Sequence, residues 1–180
     1  MMYKKMLIVI AAFILVCQPC GYARIDEIEK LEVTSSAFKE GGMIPKKYTG
    51  YGEDISPDIK WSKPPAGAKC MALICEDPDA LTGTWIHWVI FNIPYKSGGL
   101  PENIPPREAL PDGTIQGVND FQRIGYDGPH PPFGTHRYYF KVYALDTRPN
   151  IGARVTRDEL LKAMQGNILA EGSLMGRYSK

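Results

Sequence analysis

From His136 to Ala144 the chain alternates without interruption. His136, Tyr138, Phe140, Val142 and Ala144 fall on one parity, and Arg137, Tyr139, Lys141 and Tyr143 on the other. A period of two puts successive side chains on opposite faces of a sheet, so Arg137 to Leu145 is predicted to be a half-buried strand. A strand needs partners, and the rest of the chain supplies short ones. Eighteen glycines and fifteen prolines punctuate it, which favours brief strands separated by turns over long helices. Strands are expected at Leu31–Phe38, Ile59–Trp61, Lys69–Glu76, Trp85–Ile93 and Gly172–Tyr178. Pro64-Pro65-Ala66-Gly67 reads as a turn. Gly98–Gly117 is proline-rich and aperiodic and reads as a surface excursion. Thr156-Arg157-Asp158-Glu159 is a capping box that opens a short helix with Leu160, Leu161 and Met164 on one face, and Gly166 stops it. The expected fold is mainly β (α+β), with one or two helices.

The first 23 residues belong to a different category. Lys4 and Lys5 precede an uncharged apolar run, Met6–Val16, and Gly21 and Ala23 suit the minus-three and minus-one positions of a cleavage site. This is the pattern of a secretory signal peptide cut after Ala23; the run is short for a membrane span, which needs about 20 apolar residues. Residues 24–180 then form one domain, long enough to bury a core without staples. The leader carries off Cys17 and Cys20, leaving Cys70 and Cys75. Five residues of strand span about 17 Å and point the two thiols to opposite faces, so free buried cysteines are expected rather than a bridge. The remaining charges nearly cancel, and no basic cluster suggests a nucleic-acid surface.

Candidate chemistry rests on few residues. His87 interrupts the apolar run Trp85–Phe91, where an unpartnered ring would carry a desolvation cost of a few kcal/mol. His136 opens the alternating strand on the face of Phe140 and Val142. Asp77, before Pro78 and Asp79, ends another strand. Strand ends are where a scaffold commonly displays a site. Each has a plainer reading: a core histidine bonded to a backbone carbonyl, an Asx turn at Asp77-Pro78-Asp79, and a loop side chain for His130.

Taken together the motifs are more specific. Asp77-Pro78-Asp79-Ala80 with Gly83-Thr84-Trp85-Ile86-His87-Trp88 resembles the first signature of the phosphatidylethanolamine-binding family. Asn119-Asp120-Phe121, Gly125-Tyr126, Gly128-Pro129, Pro131-Pro132 and Gly134-Thr135-His136-Arg137-Tyr138 resemble the second. Gly52-Glu53-Asp54-Ile55-Ser56-Pro57 and Trp61-Ser62 resemble its bacterial, Raf kinase inhibitor-like branch. The resemblance covers about Val33 to Tyr178. It implies a central antiparallel sheet with a smaller sheet and a few peripheral helices, and a pocket for phosphate, phosphorylethanolamine or a similar anion. By position, Asp77, His87 and His136 match the pocket, Asp79 belongs to the same motif, Gly134 matches a glycine that lets backbone approach it, and Tyr126, Pro129 and Pro131 match its wall. Eukaryotic members carry a C-terminal helix beside the pocket; the residues after Tyr178 leave no room for one, so no gating role is carried over.

The resemblance implies an exported or periplasmic binding or inhibitory protein with a kinase, protease or host-protein target, no cofactor, and a homodimer as in bacterial relatives. Two other readings stand beside it. One is a hydrolase or metal enzyme using the Asp and His groups, although no HExxH, no Gly-x-Ser-x-Gly and no evident nucleophile accompanies them, Cys75 being the only thiol near Asp77. The other is an interaction protein whose pocket is vestigial.

Overall fold

A computed structural model describes residues 28–180. The leader and its cleavage point therefore lie outside the described residues. The elements are β1 (Glu29–Lys30), β2 (Val33–Thr34), β3 (Ile59–Trp61), β4 (Cys70–Asp77), β5 (Trp85–Pro94), β6 (Gly99–Leu100), β7 (Ile115–Gln116), β8 (Thr135–Leu145), α1 (Arg157–Met164) and β9 (Ile168–Ser179). Two single 3-10 turns, Lys46–Tyr48 and Tyr95–Ser97, add to them.

Hydrophobic alternation builds the centre. A six-stranded sheet runs β1-β9-β8-β4-β5-β7, with every pairing antiparallel except β1 to β9. A three-stranded sheet, β2-β3-β6, stands apart. The even-numbered residues of β8 face a first core that also takes in Val33, Ile59, Trp61 and Leu100 of the small sheet. Tyr143 and Leu145 of β8 join a second core, closed by Leu160 and Met164 of α1. The wide sheet is thus covered by the small sheet on one face and by a single helix on the other.

β4, buried along its whole length, shows what this arrangement demands. Cys75 belongs to the first core and Cys70 to the second. Both are free, on opposite faces as their odd spacing requires. The capping box of α1 is formed: the Thr156 hydroxyl accepts from the Glu159 N–H at 3.3 Å, and the Thr156 N–H donates to the Glu159 carboxylate at 2.8 Å. Such a cap is worth about 1 kcal/mol.

Two expectations change. Leu31–Phe38 is not one strand: only Val33–Thr34 pairs, and Ser36 turns the chain by donating to Asp58 through its N–H and its hydroxyl. The excursion 98–117 is not simply superficial. It contains β6 and β7, and Thr114 and Gln116 are fully buried. Gln116 accepts from Trp88 Nε1 at 2.8 Å and donates to the carbonyls of Pro105 and Arg107, each at 2.8 Å. One buried amide holds the aperiodic segment to the core, which no periodicity could announce.

β5 departs from strict alternation twice. Its pairing with β4 passes from Cys75↔Trp88 to Glu76↔Ile86, leaving His87 as the extra residue of a bulge. A second shift brackets Asn92, whose φ is 57°. Accordingly Ile86 packs in the second core while Trp88, only two residues on, packs in the first. A bulge re-aims a side chain in this way and is common beside functional sites.

Candidate functional site

The ends of β4, β5 and β8 meet at one end of the wide sheet, where Asp77 pairs with Trp85 and Glu76 with Tyr139. Asp77, His87 and His136 are all buried there, at 3%, 3% and 6% exposure. His136 Nδ1 lies 2.7 Å from Asp77 Oδ2. Asp77 Oδ1 accepts the Asp79 N–H at 2.8 Å, so the Asx turn is real and serves to fix the carboxylate. His87 Nδ1 lies 2.6 Å from the Asp127 carbonyl oxygen. A carbonyl can only accept, so this nitrogen carries the hydrogen.

That assignment decides what the site offers. Both rings direct Nδ1 at protein acceptors, so Nε2 is the nitrogen each has left for a ligand. Burial pulls the His87 pKa below its ordinary value, with the Asp127 carbonyl and the charges of Asp77, Asp127 and Asp54 opposing it. At neutral pH His87 is therefore an acceptor in the ligand-free protein.

Tyr138, two residues beyond His136 on the same face, is a member of the site that the motif reading did not single out. Its ring packs edge-on to His87 at 5.2 Å between centroids, and its hydroxyl is buried without a hydrogen-bond partner. Burial and then the Asp77 charge raise its pKa, so it remains a donor. The Asp77 charge acts on this hydroxyl, yet the two do not meet in hydrogen-bond geometry, and the donor is left free. The i, i+2 spacing from His136 was the available signal. Phe121 adds an aromatic wall, edge-on to both Trp85 and His87.

The other motif residues take supporting places. Asp79 accepts from Arg137 through its backbone N–H, Nε and a terminal nitrogen at 2.9, 2.8 and 2.6 Å, so its carboxylate is engaged and its pKa is held down by Arg137. The Tyr126 hydroxyl is buried and donates to the Tyr48 carbonyl at 2.7 Å. Pro129 and Pro131 are buried, and the Pro131 carbonyl accepts from the Tyr51 hydroxyl at 2.9 Å. These residues tie the 119–134 loop down behind the histidines. Gly134 has a φ of 71°, and a Cβ there would meet no protein atom within 4 Å. The left-handed backbone, rather than crowding by the protein, calls for glycine there.

His130 is an exposed loop residue packed edge-on against Tyr51 at 4.2 Å. Cys75 is fully buried, and burial pushes its thiol pKa well up, so it stays protonated and is a poor nucleophile. Among the described residues no three His, Cys, Asp or Glu side chains converge as metal ligands. Nor is any helix among them long and apolar enough to cross a membrane. A cavity of about 530 Å³ opens beside His136, lined also by Asp79, Phe133, Gly134, Arg137 and Arg177. A larger one, about 860 Å³, lies along β1 and β9 and has no histidine in its wall.

This geometry can be set beside known proteins. A crystal structure of a phosphatidylethanolamine-binding protein homologue from Chlamydia trachomatis superposes with a TM-score of 0.78 at 41% identity, covering 84% of this chain and 99% of that one. An Escherichia coli protein described as a new member of the mammalian PEBP family gives 0.77 at 32% identity, again covering 84% and 99%. A UPF0098 protein of Methanothermobacter thermautotrophicus is 48% identical over 150 residues, 83% of this chain and 99% of the relative. The family model for phosphatidylethanolamine-binding proteins matches residues 34–179, which take in β3 to β9 and every residue of the site. With that match spanning most of the chain and relatives 41% and 48% identical over more than four-fifths of it, the chain belongs to the phosphatidylethanolamine-binding protein family.

Proposed function

We propose that the Asp77, His87 and His136 pocket binds a small phosphate-type anion, such as phosphorylethanolamine or a phospholipid headgroup, and that the protein is a binding or inhibitory regulator rather than an enzyme. The observation that carries this reading is the buried Asp77–His136 pair at 2.7 Å beside an unpartnered buried hydroxyl, that of Tyr138. A buried donor without a partner normally costs about 1–3 kcal/mol. A ligand oxygen would satisfy it.

The tautomers add a chemical requirement. A fully deprotonated phosphate group brings only acceptors, and the His87 Nε2 lone pair is an acceptor too. The complex therefore needs a proton, either on a ring or on the phosphate, whose second pKa is near 6. Either route has the same sign: affinity rises as pH falls. Calorimetric titration of residues 24–180 with phosphorylethanolamine is expected to show saturable binding about tenfold tighter at pH 6 than at pH 8. His136→Ala is expected to abolish it. A folded protein with no binding at either pH would leave the vestigial-pocket reading in its place.

The proposed target is a kinase, protease or host protein, with a homodimer as the working state. Export removes cytoplasmic targets from reach and is itself part of this proposal, supported by the leader pattern of residues 1–23. The full chain expressed in a bacterial host is expected to yield a mature protein beginning at Arg24, read by intact mass. An uncleaved chain held in the membrane would overturn the assignment.

A further inference from the structure

The pocket draws on the main chain of Asp127, while its side chain is still without a role. Ring and main chain form a closed pair: His87 Nδ1–H donates to the Asp127 carbonyl at 2.6 Å, and the Asp127 N–H donates to the His87 carbonyl at 3.0 Å. Any residue except proline could supply those bonds, so they do not call for a carboxylate. The Asp127 carboxylate is nonetheless buried, the residue being 6% exposed, and a buried charge is costly unless it is paired and hydrogen-bonded. Asn119 Nδ2 donates to its Oδ2, and a terminal nitrogen of Arg123 to its Oδ1, each at 2.6 Å. Asn119 in turn accepts the N–H groups of Phe121 and Arg123, each at 3.0 Å. The residue that grips Asp127 thus also seats the Phe121 ring against His87. The Arg123 side chain is 68% exposed. A buried negative charge therefore stands behind His87, with its counter-charge at the surface.

We propose that Asp127 is a positioning residue of the anion pocket, acting through His87: its main chain aims the ring, and its carboxylate, masked in part by Arg123, favours a positive charge on that ring when an anion binds. This role rests on the anion pocket proposed above. Burial drives His87 toward its neutral form, and the Asp127 carbonyl, then the charges of Asp77, Asp127 and Asp54, oppose it. Asp77 comes from the end of β4, where His136 of β8 engages it. Asp54 comes from the 50–57 loop, where it accepts the Gly128 N–H. Tyr138 of β8 faces the ring with a hydroxyl that stays neutral. Of the three carboxylates, Asp127 alone is paired with an arginine among the described residues. Its action on the ring can therefore be changed from the surface, without touching a group that meets the ligand. The ring stands between Asp127 and the Nε2 side left for the anion, so the carboxylate acts more strongly on the ring than on the anion.

The test uses two substitutions at one ion pair, which a purely structural tie would treat alike. Asp127→Asn removes the negative charge and keeps the shape; Arg123→Gln removes the mask. In residues 24–180, wild type and both variants, the His87 ring is titrated by NMR without ligand, and phosphorylethanolamine affinity is measured by calorimetry from pH 6 to pH 8. Asp127→Asn is expected to move the His87 midpoint to lower pH and weaken binding at pH 7. Arg123→Gln is expected to move it to higher pH and tighten binding. Each change in affinity is expected to be about threefold, the scale of a pair with one exposed partner. Arg123→Gln lies at an exposed position that tolerates the change, and it decides by itself if Asp127→Asn unfolds. Midpoints that move in the same direction, or not at all, would overturn the assignment and leave Asp127 as a tie for its loop. Opposite movements without phosphorylethanolamine binding in any of the proteins would support the action of Asp127 on His87 and overturn the anion pocket alone.

Discussion

Replacing Trp88 by alanine is expected to cost about 4 kcal/mol of folding stability, the range for emptying a fully buried aromatic site. Trp88 has no exposed surface and packs edge-on against Tyr126 at 5.6 Å. The substitution also removes the indole N–H from Gln116, and with it a link between the core and the 98–117 segment. For a chain of this size a loss of that magnitude lowers Tm by roughly 12 °C. Thermal unfolding measured by circular dichroism checks it. A shift of only a few degrees would mean that the 98–117 segment closes over the space. Trp88→Phe, which keeps most of the volume but not the donor, is expected to lose far less.

The second large effect is expected at Gly128. A Cβ there would sit 2.3 Å from the Tyr48 carbonyl oxygen, 2.7 Å from Thr49 Cα and 2.8 Å from the Asp54 carboxylate. Two of these neighbours are backbone and cannot rotate away. The Gly128 N–H also donates to Asp54 at 2.7 Å, so any shift that relieves the clash lengthens that bond. Gly128→Val is expected to cost about 3 kcal/mol, the upper range for overpacking. It is also expected to weaken ligand binding, because Asp127, whose carbonyl fixes the His87 ring, is the preceding residue. Gly134→Ala provides the contrast. It meets no atom within 4 Å and bears only the left-handed penalty of roughly 1–2 kcal/mol. Urea titration of the two variants distinguishes crowding from backbone strain. Equal losses would show that the 2.3 Å approach is relieved without cost.

How much of this was legible beforehand follows from how locally each element is determined. β4 and β5 are read from hydrophobic runs because both sheet faces are covered, β8 is read from its alternation, and α1 is read from a cap whose partners lie three residues apart. β9 starts earlier than expected, at Ile168. Its first residues lack clean alternation, and their place is set by pairing with β8. β1 and β2 are two residues each, shorter than any period. The Gln116 anchor joins residues 28 apart through one side chain, and no window along the chain contains it.

The site was legible as a set of residue types and less so as a geometry. The order of the motifs brings Asp77, His87 and His136 forward. Which ring nitrogen is bound, and hence whether the pocket donates or accepts, depends on the Asp127 carbonyl and the Asp77 carboxylate arriving from other elements. Tyr138 was seen as a core residue of an alternating strand. It is one, and its buried hydroxyl is also left without a hydrogen-bond partner.

The extra residue in β5 sets regularity of the sheet against the presence of a site. An uninterrupted β5 would satisfy every rule of alternation, pair more evenly with β4 and turn residue 87 out of the sequence of inward-facing groups. A procedure that improves this protein by idealising its strands would make the sheet more regular and take His87 away from Tyr138 and Phe121 in the same step.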